Sequence, residues 1–184
     1  MKFCDLLSQA YNKETGIIYA DPLLNLLPET PLEVIEQVYS HHGRNDEFQG
    51  QYGELELSSI VWVSAPLPAA EIIQASFYPS FTKWFRDVEA RPLVFEKRGW
   101  RCIDSRADVI EHWSEHQTWL HQPVLVQGLP PATAGRLHLV EGHTRVALLS
   151  GLVKAGVISP RSEHQVLVGR AGTPNNSPDR VKTP

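Results

Sequence analysis

The sequence predicts an α+β fold in which a small mixed β-sheet is flanked by helices. Three observations lead to this fold class. Short apolar segments alternate with segments of helical periodicity in the C-terminal half, an order typical of a small sheet covered by helices. The first 50 residues show mainly helical spacing. Hydrophobic residues make up 42% of the 184-residue chain, enough to bury a core without help from disulfides.

The domain organisation follows from the same patterns and from one shift in composition. We expect a mostly helical N-terminal extension over residues 1–50 and an α+β domain over residues 51–170. Residues 171–184 are rich in Pro, Asn, Ser and Thr and contain a single large apolar residue. A segment of that composition cannot bury enough apolar surface to order itself, so we expect a disordered tail.

Individual elements are predicted from periodicity and from helix and turn signals. Thr30, Pro31 and Glu33 form the pattern of a capping box with proline at the first helical position. Residues 43–53 are polar and Gly-rich, which predicts a connecting loop. The predicted helices are 3–12, 31–41, one beginning near Pro68, 81–90, 105–120 and 143–156, the last closed by Gly156. The predicted strands are 54–63, 91–99, 122–128, 136–142 and 163–170.

Charge and composition exclude some classes of protein. The net charge is −4 and the pI is about 6.0, without the basic stripe of a dedicated nucleic-acid binder, so nucleic acid is not expected as the main ligand. No apolar run reaches the roughly 18 residues of a membrane span, and the N-terminus lacks a signal-peptide pattern. A cytoplasmic protein is therefore expected, with Cys4 and Cys102 as reduced packing residues.

The most informative stretch is LHLVEGHTRVALLSGL at residues 137–152, where a strand pattern meets a helix pattern at the polar segment EGHTR. The first N–H groups of a helix are unpaired and attract anions, and Gly142 would let an anion approach the backbone. Arg145 could hold two phosphate oxygens, and Thr144 and His143 could donate hydrogen bonds. Glu141 could bind Mg²⁺ or act as a base, so Glu141 and His143 are the candidate catalytic residues.

The same five residues also admit a purely structural interpretation. Gly142 could be only a tight turn, and His143 could cap the helix. Arg145 could be a surface side chain that bridges to Glu141. Sequence alone leaves both interpretations open.

The order of strand, EGHTR and helix resembles the ParB/sulfiredoxin-like superfamily over residues 91–170. In that superfamily a strand of the Pro-apolar-apolar-Val type, here Pro123–Val126, pairs with a strand ending in a Gly-x-x-Arg signature. The signature opens a helix, as Gly142 to Arg145 would here. The most similar branch carries Asp-Gly-His-His-Arg and includes ADP-dependent serine kinases, with Glu141 and Thr144 as the two differences in this chain.

The resemblance implies a nucleotide ligand, ATP, ADP or CTP with Mg²⁺, and either hydrolysis or phosphate transfer. No zinc is expected. Sulfiredoxin chemistry is excluded because His143 occupies the position of the catalytic cysteine. Chromosome-partitioning activity is not expected, because His143 and Thr144 differ from the Glu-Arg of that branch and no helix-turn-helix pattern follows.

Two further sets of residues bear on a catalytic or metal site: an H-x-x-E-H segment and four acidic residues. The segment from His112 to His116 has the H-x-x-E-H spacing of a zinc site, but we predict a partly buried structural histidine at His116. A second acidic group facing EGHTR is needed for catalysis, and Glu54, Glu56, Asp104 and Glu111 are candidates.

The alternative function is a non-catalytic binding protein, such as an immunity or accessory protein that acts on a protein partner. An aromatic cluster that is either core packing or a docking patch accompanies that alternative: Phe77, Tyr78, Phe81, Trp84 and Phe85.

Overall fold

A four-stranded mixed sheet lies at the centre of the computed structural model, which describes residues 1–131 and 135–172. The strands are β1 (Ile60–Pro68), β2 (Val124–Gln127), β3 (Leu137–Glu141) and β4 (Glu163–Ala171). Their order in the sheet is β1-β4-β2-β3. The central strands β4 and β2 run parallel, and each pairs antiparallel with its outer neighbour. The sheet and its helices confirm the predicted α+β class.

Helices occupy most of the remaining described residues. The α-helices are α1 (Ala20–Leu26), α2 (Leu32–Val34), α3 (Asp46–Tyr52), α4 (Ala69–Ile72), α5 (Thr82–Glu89), α6 (Phe95–Arg98), α7 (Ala107–His116) and α8 (His143–Lys154). A π-helical segment, Ile35–Ser40, continues α2. Single 3₁₀ turns lie at Phe3–Ser8, Leu57–Ser59, Pro79–Phe81, Arg91–Val94 and Gly99–Cys102.

The two faces of the sheet are covered by different parts of the chain. Val124, Val126 and Leu167 pack with the apolar side chains of the N-terminal helices. Leu125 and Val168, on the opposite face, pack with α8 and α5. This alternation follows from the period of two along a strand, and a strand buried on both sides is apolar at every position. The boundary expected between residues 50 and 51 falls inside α3, and residues before and after it share one core.

The elements around EGHTR lie where the sequence predicts them. The structure has β2, β3 and β4 within or close to the predicted strands, and α8 begins at His143, directly after Gly142. Gly156 follows the end of α8 with a φ of 73°, the left-handed conformation that glycine supplies after a helix. These predictions are confirmed because each pattern is local and each element is largely buried.

Residues 91–99 form helical turns, and the predicted strand there is wrong. Pro92 is buried against α8 at Gly151, where an added Cβ would lie 2.8 Å from the Pro92 Cδ atom. Leu93 and Val94, whose apolar character suggested a strand, are exposed. Proline lacks the N–H that a strand would use but fits the first turn of a helix, and this favours the observed conformation.

Residues 46–52 form α3, and the predicted loop over 43–53 is also wrong. The side chain of Asn45 caps this helix by accepting a hydrogen bond from the Phe48 backbone N–H at 3.1 Å. Phe48 and Tyr52, four residues apart, are both buried on one face. The sequence predicts a loop because this short amphipathic pattern is interrupted by polar residues and by the glycines at 50 and 53.

Other element boundaries differ from the predicted ones. The Thr30 capping box does not form, because α2 begins at Leu32 and Pro31 is its N-cap without a side-chain bond. The predicted helix 3–12 is a 3₁₀ turn that ends at Ser8. The strand expected at 54–63 begins only at Ile60.

The helix predicted over 105–120 ends earlier, at His116. Gln117 adopts a left-handed φ of 54°, and this conformation terminates α7. Trp113 is buried, but the side chain of His116 is 56% exposed, so the prediction of a partly buried His116 is wrong. The early end turns Leu120 outward as well.

The remaining expectations concern the cysteines, membrane-spanning helices and the C-terminal tail. Both cysteines are free thiols, with Cys102 buried. Among the described residues, none of the helices combines the length and apolar character needed to cross a bilayer. The tail predicted to be disordered lies outside the described residues from residue 173 onward.

Candidate functional site

A cleft of about 390 Å³ opens where β3 ends and α8 begins. All five residues of EGHTR, 141–145, line it. Its other walls come from α5 and the 3₁₀ turn before it, from α7, and from the segments directly before and after α7. These walls contain three charged side chains, Asp104, Arg106 and Asp108, and four aromatic ones, Phe81, Trp84, Trp113 and Trp119. The polar segment EGHTR therefore lines a cavity with both charged and apolar surfaces.

Gly142 forms the floor of the cleft at the start of α8. Its φ is 99°, in the left-handed region that disfavours other residues. A Cβ atom here would lie only 2.6 Å from the Cβ of Pro123, the residue before β2. Gly142 is thus required both by conformation and by space. The N–H groups of the first turn of α8 have no partner within the helix, so they add positive potential at this point.

His143 is a buried, neutral histidine in the cleft wall. It is 6% exposed, and its ring stacks on Phe81 with 4.0 Å between ring centroids. Burial lowers the pKa of His143 to about 4, against a smaller opposing effect of Glu141. Its Nε2 atom is buried and has no hydrogen-bond partner among the described residues. An unpaired polar atom at such a depth costs free energy, which a hydrogen-bonding group that reached it would offset.

Arg145 forms a fork that holds three parts of the chain together. Its Nη1 donates to the His121 carbonyl oxygen at 3.1 Å, and its Nη2 donates to Gln37 Oε1 at 2.7 Å. The same Nη2 lies 3.5 Å from Glu141 Oε1. The bridge to Glu141 that the structural interpretation expects is therefore present. A phosphate oxygen would have to share these donors, because both terminal nitrogens already make contacts within the protein.

Glu141 is an ionised carboxylate that lies between His42 and Arg145. Burial alone would raise its pKa, but the hydrogen bond from His42 and the charges of His42 and Arg145 hold the pKa below its ordinary value. The His42 Nε2 atom lies 3.4 Å from Glu141 Oε2, and the His42 ring stacks on Phe48. A carboxylate with a lowered pKa is a weak proton acceptor, so Glu141 suits electrostatic roles better than general-base catalysis.

Thr144 contacts an aromatic wall of the cleft. Its Oγ1 atom accepts a hydrogen bond from Trp84 Nε1 at 3.3 Å. The expected phosphate-binding hydroxyl is thereby tied to the indole, and the first turn of α8 is connected to α5.

Of the four candidate acids for a second carboxylate, only Asp104 lines the cleft. Its carboxylate accepts from Arg106 Nη2 at 2.8 Å, and this hydrogen bond is the largest of the effects that lower the Asp104 pKa to about 2. Glu54 instead pairs with the Lys2 ammonium group, and Glu56 with the N-terminal amino group. Glu111 is not a residue of the cleft.

Several residues of the site were not found by sequence reasoning. His42, Gln37, His121 and Arg106 are not among the site residues that the sequence predicts. The Gln37 and Arg145 side chains that bond are 108 positions apart. No local pattern marks such contacts, since they are created when the N-terminal helices and α8 pack on the same sheet.

The H-x-x-E-H segment offers two histidines without a complete metal site. The His112 and His116 rings are 4.5 Å apart between centroids, as the i, i+4 spacing predicts. In residues 1–131 and 135–172, no group of three or more His, Cys, Asp or Glu side chains is arranged to hold a metal ion. A third ligand is the usual requirement for a zinc site, and this segment lacks it.

No protein-family model, curated protein or solved structure matches this chain. The superfamily resemblance of EGHTR accordingly stays a prediction from the motif, and the cleft itself is the basis for inferring a function.

We expect acid to destabilise this protein between pH 6.5 and pH 4. Burial lowers the pKa values of His143 and His164 to about 4 from 6.5. Below pH 6.5 the unfolded chain binds protons that the folded chain does not, so stability is complete above 6.5 and is lost as pH falls toward 4. At ~1.4 kcal/mol per pKa unit, each histidine accounts for about 2 kcal/mol between pH 7 and pH 5.

Urea unfolding at a series of pH values measures this loss. His143→Phe keeps a ring against Phe81 and should reduce the change between pH 7 and pH 5 by about 2 kcal/mol, whereas His164 and His138, whose pKa values are also lowered by burial, keep their contributions. An unfolding free energy that is equal at the two pH values would contradict the burial of neutral histidines.

Proposed function

We propose that this protein binds the phosphates of a nucleoside di- or triphosphate in the cleft at the start of α8. The observation that carries the proposal is the coincidence of two unpaired features in one cavity. The residues of the first turn of α8, whose first N–H groups have no partner within the helix, line this cavity, and so does His143, whose buried Nε2 atom lacks a partner among the described residues. Each feature is completed by a ligand with anionic oxygens.

The charges around the cleft support an anionic ligand with a restricted position. Arg106 is largely exposed, and its Nε and Nη2 atoms donate to Asp104, whose side chain is only 16% exposed, so the guanidinium would contact a phosphate while it stays paired with this carboxylate. Arg145 is less free, because it is tied to Gln37 and His121, and its charge acts on the ligand mainly from a fixed position. The partly buried carboxylate of Glu141 restricts the anion to the Gly142–His143 side, because like charges repel.

A magnesium ion would accompany the nucleotide rather than occupy a protein site of its own. Mg²⁺ is commonly held by one or two carboxylates together with substrate phosphates. Three carboxylates line the cleft, and of these we assign the role to the two that the sequence singles out, Glu141 and Asp104, with Asp108 as the third. We expect binding to be measurable without turnover, since both carboxylates have lowered pKa values and neither is a strong base.

Calorimetric titration with ADP, ATP, CTP and GTP in the presence of Mg²⁺ tests the proposal. We expect at least one of them to bind, and Arg106→Ala to weaken that binding roughly tenfold, about 1.4 kcal/mol, by loss of a charge-assisted contact. Arg161→Ala is the matched control, because Arg161 is exposed and outside the cleft. Phosphate release in the same samples measures hydrolysis.

The proposal fails if none of the four nucleotides binds at millimolar concentration. It also fails if Arg106→Ala and Arg161→Ala weaken binding equally, because binding would then reflect only the overall charge of the protein.

A second candidate is a non-catalytic binding protein, favoured by the outer edge of the sheet. β1 is an edge strand of nine residues with Val61 and Val63 exposed on it. Exposed edges of this kind can accept a strand from a partner protein. Val63→Lys would then abolish recovery of a specific partner from cells and leave nucleotide binding intact, whereas unchanged recovery would count against this candidate.

A further inference from the structure

Trp84 presents an exposed aromatic surface inside the cleft. Its side chain is 49% exposed although it belongs to an amphipathic helix whose other aromatic residue, Phe85, is buried in the core. The aromatic segment that the sequence left ambiguous is therefore divided. Phe77 and Phe85 stack on each other against the core, and Trp84 faces the cavity.

The position of the indole is fixed relative to the predicted phosphate end of the cleft. Trp84 Nε1 donates to Thr144 Oγ1 at 3.3 Å, and Thr144 belongs to the first turn of α8. The Arg91 guanidinium lies 5.8 Å from the ring centroid but is not a residue of the cleft. The exposed ring of Trp84 is thus hydrogen-bonded to a residue in the first turn of α8, where anionic oxygens would bind.

The cleft has apolar lining residues besides this ring. Phe81, Leu120 and Leu148 line the same cavity as the charged side chains of Asp104, Arg106 and Glu141. A ligand with an aromatic part and an anionic part can satisfy both surfaces at once. Inorganic phosphate or pyrophosphate would leave the apolar surface in contact with water.

We propose that Trp84 is the base-stacking platform of this site and that the ligand is a nucleotide recognised at its base as well as at its phosphates. The inference rests on the proposed function and adds a second contact surface to it. Stacking on an aromatic side chain accepts any nucleobase, because every base has a π-face. Selection among bases would then require hydrogen bonds from other cleft residues, and the platform itself contributes affinity.

Binding of ADP with Mg²⁺, of adenosine and of pyrophosphate to the wild type and to three variants tests the inference. For Trp84→Ala we expect ADP and adenosine to bind roughly tenfold more weakly and pyrophosphate to bind as it does to the wild type. Trp84→Phe should stay within about threefold of the wild type for all three ligands, because a phenyl ring also stacks. Tyr19→Ala removes another exposed aromatic side chain outside the cleft and should change nothing.

Each other result has a distinct meaning. If ADP binds no more tightly than pyrophosphate and Trp84→Ala binds both normally, the platform is refuted and the phosphate site stands. If Trp84→Ala weakens pyrophosphate as much as ADP, Trp84 acts only through Thr144, and the platform is again refuted. If the wild type binds neither ADP nor pyrophosphate, the proposed function fails. Adenosine then decides the platform alone, which is refuted if adenosine does not bind the wild type.

Discussion

Gly142→Ala is expected to destabilise the protein by about 3 kcal/mol, because a left-handed alanine costs ~1–2 kcal/mol and overpacking a filled site costs a similar amount. The φ of Gly142 is 99°, and an added Cβ would lie 2.6 Å from the Cβ and 3.0 Å from the Cα of Pro123. Relief of this clash requires β3 and α8 to move away from β2. The same movement would displace the N–H groups of the first turn of α8, so phosphate binding should be lost as well.

Gly156→Ala is the matched control for this substitution. Gly156 also has a left-handed φ, 73°, at the other end of α8, but a Cβ added there would meet no neighbouring side chain or strand of the described chain within 4 Å. It should show only the conformational cost of about 1 kcal/mol and keep ligand binding. Urea unfolding of both variants compares the two costs. Equal destabilisation by the two substitutions would mean that contact with Pro123 does not constrain the cleft floor.

Arg145→Ala is expected to cost about 3 kcal/mol of stability, because it leaves partly buried polar partners without their charged donor. The partners are the Gln37 side chain, the His121 carbonyl oxygen and the Glu141 carboxylate. Gln37 belongs to the π-helical segment Ile35–Ser40, and His121 follows α7. The substitution should therefore loosen contacts between the N-terminal helices and the cleft, in addition to lowering global stability.

Urea unfolding and amide hydrogen exchange measure these two effects. We expect faster exchange at Ile35–Ser40 in Arg145→Ala than in the wild type under native conditions. Arg170→Ala is the control, since Arg170 makes one exposed hydrogen bond to Gln127 and should change stability by less than about 0.5 kcal/mol. If Arg145→Ala is as stable as this control, Arg145 is a free surface side chain rather than a structural fork.

The part of the fold that the sequence predicts correctly is the part encoded by local periodicity. The strands β2 and β3 are almost wholly buried, and α8, which follows β3, has glycines at its start and after its end. The strand predicted for residues 91–99 is wrong because the contact that determines the conformation there is a tertiary one. Pro92 packs into the space that Gly151 leaves open on α8, and no pattern near Pro92 indicates this.

The candidate site is likewise predicted in part: the residues adjacent in sequence are found, and those brought together by packing are not. Residues 141–145 are adjacent in sequence, so their shared location follows once the strand and the helix are predicted. Trp84 and Asp104 reach the cleft from α5 and from the segment before α7, and Gln37 reaches Arg145 from the N-terminal helices. Their contacts depend on how those elements pack on the sheet. The buried, neutral state of His143 is likewise a result of packing, since it depends on Phe81 and Phe77 covering the ring.

The most direct test of the central claim is to locate the bound nucleotide by NMR. Backbone amide signals of the ¹⁵N-labelled wild-type protein are followed during titration with ADP and Mg²⁺. If the phosphates bind at the start of α8, the largest saturable shifts will occur at His143, Thr144 and Arg145, together with a shift of the His143 ring nitrogens. Saturable shifts confined to residues outside the cleft, or no saturable shifts at millimolar ADP, would contradict the claim.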